Sequence, residues 1–241
     1  MAYYTISDLH GHYDLYEAVK NFISPHDKVI CLGDCGDRGP RSWETIKAVY
    51  YDPQWIYLMG NHEHMLLYAI MQYYKGQRGE VYNPSLASPY THNPIALLQS
   101  NGGYSTFLGW MRDGEDYSWI DRLAELPTYY HYVSENKIDI HLSHAGFTPN
   151  TSTIPDQWEL VWNRDHFTDE WPDGKENTLI IHGHTPCEYL KADWVVSDGA
   201  YQYAGDHKID IDMGTAWNGA SCLFNLDTLE EIIFSYEEGE S

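Results

Sequence analysis

Basic residues are scarce in this chain. Lysine and arginine together number 14 among 241 residues, against 36 aspartates and glutamates, for a formal net charge of -22. A field of that sign repels phosphate backbones, which argues against nucleic-acid backbone binding. One phosphate group is a different matter, because divalent ions bound in a site dominate its local field. No stretch approaches the ~20 apolar residues of a membrane span, and no apolar run follows a basic N-terminal segment. A cytoplasmic location with no membrane partner is therefore expected. Cysteine is also sparse: Cys31, Cys35, Cys187 and Cys222 are too few and too scattered for a secreted disulfide scaffold. Cys31 and Cys35 flank Asp34, which raises a zinc reading. Against it, Cys31 sits in the apolar run Lys28-Val29-Ile30-Cys31-Leu32, where a small buried residue is the default. The chain has no internal repeat and no low-complexity tract.

Aromatics are plentiful, with 21 tyrosines and 9 tryptophans. They read first as core and surface packing, and second as a stacking platform for nucleobases. Strand-length apolar runs recur at Tyr3 to Ile6, Val29 to Leu32, Trp55 to Met59, Ile138 to Leu142, Leu179 to Ile181, Trp194 to Val196, Ile209 to Ile211 and Ile232 to Phe234. Helical spacing appears in Leu15, Ala18, Val19 and Phe22, and again in Leu66, Ala69, Ile70 and Tyr73. Pro40 suits a first helical turn for the segment Pro40 to Tyr51. Strands alternating with helices over the first third predict an α/β fold with parallel strands there. Turn signals at Ser197-Asp198-Gly199 and Met213-Gly214 predict hairpins and a more antiparallel second half. Residues 1–241 read as one domain, with a loop-and-helix insertion at about 76–115 and a solvated acidic tail after Tyr236.

Six short motifs carry the chemistry: Asp8-Leu9-His10-Gly11, Gly33-Asp34-Cys35-Gly36-Asp37-Arg38-Gly39, Gly60-Asn61-His62-Glu63, His144-Ala145-Gly146, Trp162-Asn163-Arg164-Asp165 and Gly183-His184-Thr185. All but the Arg164 motif follow a strand-like run, so their loops converge at the carboxyl ends of strands, where open α/β sheets place active sites. Carboxylate, amide and imidazole ligands together suit Mn, Fe or Zn better than an all-oxygen calcium site or a thiolate zinc site. Asp34 is the carboxylate best placed to bridge two ions. Planar guanidinium groups match the charge spread over a phosphoryl group in transit, which suits Arg38 and Arg164. A surface ion pair is the alternative for either arginine. His62 could donate a proton to a departing oxygen if an aspartate kept it charged and oriented. His12, His141 and His182 read as core or supporting groups.

The order and spacing of these motifs resemble the calcineurin-like metallophosphoesterases, and more narrowly the bacterial and phage branch of the phosphoprotein (serine/threonine) phosphatase family. Asn101-Gly102-Gly103, Trp162-Asn163-Arg164, His184-Thr185-Pro186 and Ile211-Asp212-Met213-Gly214 extend the likeness over nearly the whole chain. The resemblance implies a four-layer α/β/β/α sandwich of two mixed sheets with a dinuclear metal site at the strand ends. It places Asp8 and His10 on one metal, Asn61, His144 and His184 on the other, and Asp34 between them, with Mn the expected ion and Fe or Zn as alternatives. A hydroxide held between the ions would attack phosphorus directly. Arg38, Asn61 and Arg164 would bind the phosphate, and Asp37 would partner His62.

The expected substrate is a phosphomonoester, either phosphoserine or phosphothreonine in a phosphorylated protein or a small phosphoester. A dinucleoside polyphosphate hydrolase, built on the same metal core, is the rival enzyme. His184 is followed by Thr185-Pro186 rather than an aromatic residue, which leans toward the protein-phosphatase-like branch. A catalytically silent metal-bound binding protein is the rival outside enzymology, yet every ligand, His62 and both arginines are kept. The chain ends soon after the Ile211-Asp212-Met213-Gly214 region, so grooves for regulatory subunits are not expected.

Overall fold

The computed structural model describes residues 1–81, 93–149, 154–191 and 198–235. Strand and helix alternate at first: β1 (Tyr3–Ile6), α1 (Tyr13–Phe22), β2 (Lys28–Cys31), α2 (Ser42–Tyr51), β3 (Trp55–Tyr57) and α3 (Asn61–Gln77). Three shorter helices follow, α4 (Pro94–Ser100), α5 (Tyr104–Arg112) and α6 (Trp119–Ala124). The rest comprises β4 (Tyr129–Val133), β5 (Asp139–Ser143), α7 (Gln157–Trp162), β6 (Thr178–His182), α8 (Cys187–Leu190), β7 (Tyr201–Tyr203), β8 (Lys208–Asp210), α9 (Thr215–Asn218), β9 (Ala220–Asn225) and β10 (Glu231–Ser235).

Two mixed five-stranded sheets result. The first runs β10-β9-β1-β2-β3 and the second β4-β5-β6-β8-β7. Strands β1, β2 and β3 are parallel, as the strand-helix alternation predicts, and β9 joins β1 antiparallel. The period-2 geometry of a strand explains the layering. Val29 and Cys31 pack with Leu15, Val19 and Ile46 of the helices, whereas Ile30 and Leu32 pack with Ile140, Leu142, Ile181 and Ile209 of the second sheet. Both faces of β2 are thus buried, which is why it reads as an unbroken apolar run. On the outer face of the second sheet, Ile180 packs with Phe147 and with Leu160 of α7. The architecture is the expected pair of mixed sheets flanked by helices. No described helix is long and apolar enough to cross a membrane.

Some expectations move. Pro40 lies outside α2, which starts at Ser42. Met213-Gly214 turns no hairpin: Gly214 adopts φ 70° and leads into α9, and the next strand, β9, belongs to the other sheet. The second sheet is parallel at its centre, β5-β6-β8, and antiparallel only at its edge pairs. Strands β4, β7 and β9 were not legible as apolar runs. The residues of β9, Ala-Ser-Cys-Leu-Phe-Asn, are small or polar at their start, yet β9 sits between β1 and β10. The run Trp194 to Val196 and the tail after Tyr236 lie outside the described residues, as do residues 82–92 of the insertion.

Candidate active site

Five of the six motifs stand directly after strands: Asp8 and His10 after β1, Asp34 after β2, Asn61 opening α3 after β3, His144 after β5 and His184 after β6. Arg164 follows α7. Backbone bonds bind the first two loops together, with the amides of Asp8, His10 and Gly11 donating to the carbonyls of Gly33, Asp34 and Cys35 at 3.1, 2.9 and 2.7 Å. The price is local backbone strain. Asp8, His10, Asp34, Asp37, Arg38 and His184 all have φ between 42° and 72°, making them six of the eleven non-glycine residues with positive φ among those described. Such conformations persist where the surroundings over-determine them, and they concentrate at functional sites. Glycine is required where these loops crowd: a Cβ on Gly60 would lie 2.2 Å from Asp34 Oδ1, and one on Gly183 2.3 Å from Asp8 Oδ2.

Asp34 stands at the middle. Its Oδ1 accepts from the His62 amide at 3.0 Å and lies 3.4 Å from His144 Nε2, while its Oδ2 lies 3.8 Å from the Nε2 atoms of both His10 and His62. The two oxygens of one carboxylate therefore face two different groups of imidazoles. On one side, His144 Nε2, His184 Nδ1 and Asn61 Oδ1 converge at 2.8 to 3.1 Å from one another. Two ring nitrogens 3.1 Å apart, both aimed at one amide oxygen, form a poor hydrogen-bond set, since protons on both would clash. The same three atoms are a good donor set for a cation. On the other side, His10 Nε2 lies 3.7 Å from Asp8 Oδ1. His10 is oriented by its Nδ1, which donates to the Gly36 carbonyl at 2.9 Å, and His144 by its Nδ1 at 3.1 Å from the Leu32 carbonyl. Ser7 Oγ and the His184 amide donate to Asp8 Oδ2.

Asp8, His10, Asp34, Asp37, Asn61, His62, His144 and His184 are buried, Arg38 and Arg164 are exposed at the rim, and charge follows burial. Burial raises the Asp8 carboxyl and lowers the His10 and His184 imidazoles well below their usual values. For Asp34 the cost of burial is outweighed by His144 and His62, which hold the carboxyl well below its normal range. Burial pulls His144 down, but Asp34 and its neighbouring carboxylates push it up to about 9. For His62, burial is likewise outweighed by Asp34 and Asp37, and its imidazole is raised.

His62 Nδ1 donates to Asp37 Oδ2 at 2.6 Å, which brings together the pair that the family resemblance implies. Arg38 donates from Nη1 to His10 Nε2 at 2.6 Å and from Nη2 to His62 Nε2 at 3.0 Å. Both contacts lie on the side of the site that faces Asp34 Oδ2. Arg164 donates to Thr185 Oγ1 at 3.1 Å and to the His184 carbonyl at 3.3 Å, which ties it to the loop after β6.

The supporting roles of four residues escaped the sequence reading. Glu63, fully buried, accepts from the amides of Asp34, Cys35 and Gly60 at 2.7, 2.9 and 3.0 Å and from Tyr57 Oη at 2.7 Å. It clamps the β2 and β3 loops together while completing one half of a capping box at the start of α3. Its place beside Asn61-His62 was the available signal. Thr106 of α5 donates to Asp37 Oδ1 and accepts from the Asp37 amide at 2.9 Å. Gly102 accepts from the Arg38 amide at 3.0 Å. The helical part of the insertion thus holds the Asp37-Arg38 loop. Thr185, the anchor of Arg164, is the fourth. Cys31 and Cys35 are buried free thiols with sulfurs 3.2 Å apart, and neither joins a candidate metal group. His182 is a supporting core group, with Nε2 2.7 Å from Tyr203 Oη.

Residues 1–232 match the family model for calcineurin-like phosphoesterases. The chain is 23% identical to the symmetrical bis(5'-nucleosyl)-tetraphosphatase of Pseudomonas syringae pv. tomato, over 95% of this chain and 88% of that one. It is 26% identical to the enzyme of the same name from Nitrosococcus oceani, over 67% of this chain and 47% of the other. Among solved structures, it is similar in fold to a protein provisionally named a diadenosine tetraphosphatase (TM-score 0.59, 16% identity, 98% of this chain and 94% of that one). It is also similar in fold to a protein serine/threonine phosphatase from Saccharomyces cerevisiae (TM-score 0.55, 12% identity, 100% of this chain and 81% of that one).

Proposed function

The chain belongs to the calcineurin-like phosphoesterases, and from that premise we propose that it hydrolyses phosphate esters or anhydrides at a centre for two divalent ions. The observation that carries this reading is the Asp34 carboxylate, with one oxygen toward His144 and the other toward His10 and His62. Asp8 and His10 would hold one ion, Asn61, His144 and His184 the other, and Asp34 both. The mixed oxygen and nitrogen donors suit Mn first, with Fe and Zn as alternatives. Such ions would supply an acidified water and neutralise charge on phosphoryl oxygens.

The chain's own groups take the remaining roles. Arg38 and Arg164, on opposite loops of the site, would form a guanidinium clamp on the phosphoryl oxygens. His62 would give its Nε2 proton to the departing oxygen, while Nδ1–H stays on Asp37 and fixes the ring. For that, Arg38 must release His62 Nε2, which the arrival of a phosphate group between the arginines favours.

For the substrate, we place dinucleoside polyphosphates ahead of phosphoserine and phosphothreonine. Two relatives named as bis(5'-nucleosyl)-tetraphosphatases support this order. So does Trp217 of α9, which is 50% exposed, lies 5.4 Å from the Arg38 guanidinium and donates from Nε1 to Glu188 at 3.1 Å. A flat aromatic face beside a phosphate-binding arginine suits a nucleobase. Side-by-side turnover of diadenosine tetraphosphate and a phosphothreonine peptide tests the order. Trp217→Ala should raise KM for the dinucleotide and leave p-nitrophenyl phosphate unaffected. A clear preference for the phosphopeptide returns the protein-phosphatase reading to first place.

A further inference from the structure

A second histidine-aspartate cluster lies on the outer edge of the second sheet, and phosphate hydrolysis makes no use of it. β4 is an edge strand paired antiparallel with β5, with His131 directly opposite His141. Asp139 is two residues before His141 and so shares its face. Directly opposed side chains on such a pair have Cβ atoms about 5 Å apart, within reach of one ion. The two imidazole centroids are 5.1 Å apart. His131 Nε2 contacts one oxygen of Asp139, and His141 Nε2 lies 3.3 Å from the other. One ligand atom from each of the three residues lies within 4.8 Å of the others.

We propose that His131, Asp139 and His141 form a separate site for one borderline divalent cation, with Zn²⁺ as the type ion. Two imidazoles and a carboxylate match zinc, copper or nickel and do not suit calcium or magnesium. The surroundings fit this use. His141 Nδ1 contacts Tyr129 Oη, so with Nε2 on a metal the remaining Nδ1–H has an oxygen to receive it, the usual way a ligating histidine is held in orientation. The side chains of His131 and Asp139 are 46% and 45% exposed and that of His141 is 15%. A fourth coordination position therefore opens to solvent, which makes the site exchangeable and able to take a ligand from outside. A bound ion would also clip the edge strand β4 to β5, giving metal a way to stiffen that edge.

The test counts Zn²⁺ by equilibrium dialysis and elemental analysis on the full chain and on His131→Ala/His141→Ala. The parent should hold one more equivalent per chain than the double variant, and both should hydrolyse p-nitrophenyl phosphate at comparable rates. Asp139→Asn, which preserves the polar strand face, should lose the same equivalent and serves if the double variant folds poorly. Tyr129→Phe should keep the site and weaken its Zn²⁺ affinity by about 10-fold. Equal stoichiometry in the parent and in both ligand variants overturns the proposal. Failure of the two-ion reading at the strand ends would alter all totals alike and leave this difference readable.

Discussion

His62 donates to Asp37 at 2.6 Å with both side chains 2% exposed, whereas His131 meets Asp139 with both side chains nearly half exposed. The residue types are the same, and the environments set different stakes. Around His62 the dielectric is low, so each charge depends on its partners, and removing one leaves another uncompensated at a cost of about 3–5 kcal/mol. Around His131 water screens the pair, and its contribution is about 0–1 kcal/mol. Backbone strain divides the two regions the same way. Six site residues sit at positive φ, while His131, Asp139 and His141 lie in regular strands. Strain is concentrated where packing is dense, at the strand ends, whereas at the edge pair it is confined to Lys137 in the turn between β4 and β5.

The comparison predicts its largest contrast on metal removal. Thorough chelation should abolish hydrolysis of p-nitrophenyl phosphate, and Mn²⁺ is the first ion to restore it. Hydrolysis that survives chelation sinks the two-ion proposal. The same stripping applied to His131→Ala/His141→Ala should give the same loss, because the edge cluster does not serve that reaction. Next in size, His62→Asn should lower turnover by about 10²–10⁴-fold with the bound-metal count unchanged, the range expected for loss of a positioned general acid. Turnover equal to the parent's would refute the acid role.

Glu63 separates burial from direct participation, since its buried carboxylate is engaged by four protein donors. Glu63→Ala strands three buried amides and a tyrosine hydroxyl and should cost about 3 kcal/mol or more in a urea unfolding series. A loss below ~1 kcal/mol would mean that the loops hold their shape without it.

Much of the clustering was legible because each candidate ligand follows an apolar strand and stands near glycine, a pattern local enough to read from spacing. What stayed hidden depends on distance and register. Thr106 reaches Asp37 across 69 positions, and Glu63 gathers donors from loops after two different strands. Neither partner choice is encoded in nearby spacing. The edge cluster was missed in the same way. His141 read as a core or supporting group, and only the antiparallel register that sets His131 against His141 brings Asp139 and a second imidazole to it. Strand β9 was missed because its position between β1 and β10, rather than its own hydrophobicity, makes it a strand.

Lys208 is a smaller test, a buried charge outside the centre. It is fully buried on β8, donates to Thr148 Oγ1 at 2.6 Å and to the His166 carbonyl at 2.7 Å, and is pulled down to about 8 by burial. A lysine whose folded value lies below its usual 10.5 penalises the folded state while it is charged in both states, that is, below pH ~8. The penalty is relieved as pH rises from about 8 toward 10.5, so this group makes the protein more stable across that window. The urea midpoint of the parent should rise relative to Lys208→Met over the same interval. Parallel profiles would show that the ammonium is not held at a cost.

The smallest effect belongs to the exposed pair. In metal-free buffer, a double-mutant cycle on His131 and Asp139 should return a coupling of about 0–1 kcal/mol that shrinks as salt is added, because both groups are hydrated and screened. With Zn²⁺ present the coupling should grow, since both residues then stabilise one ion that binds only the folded strand pair. A coupling that is large without metal, or unmoved by zinc, would erase the distinction drawn from burial. The edge pair would then behave like His62 and Asp37, although water reaches it.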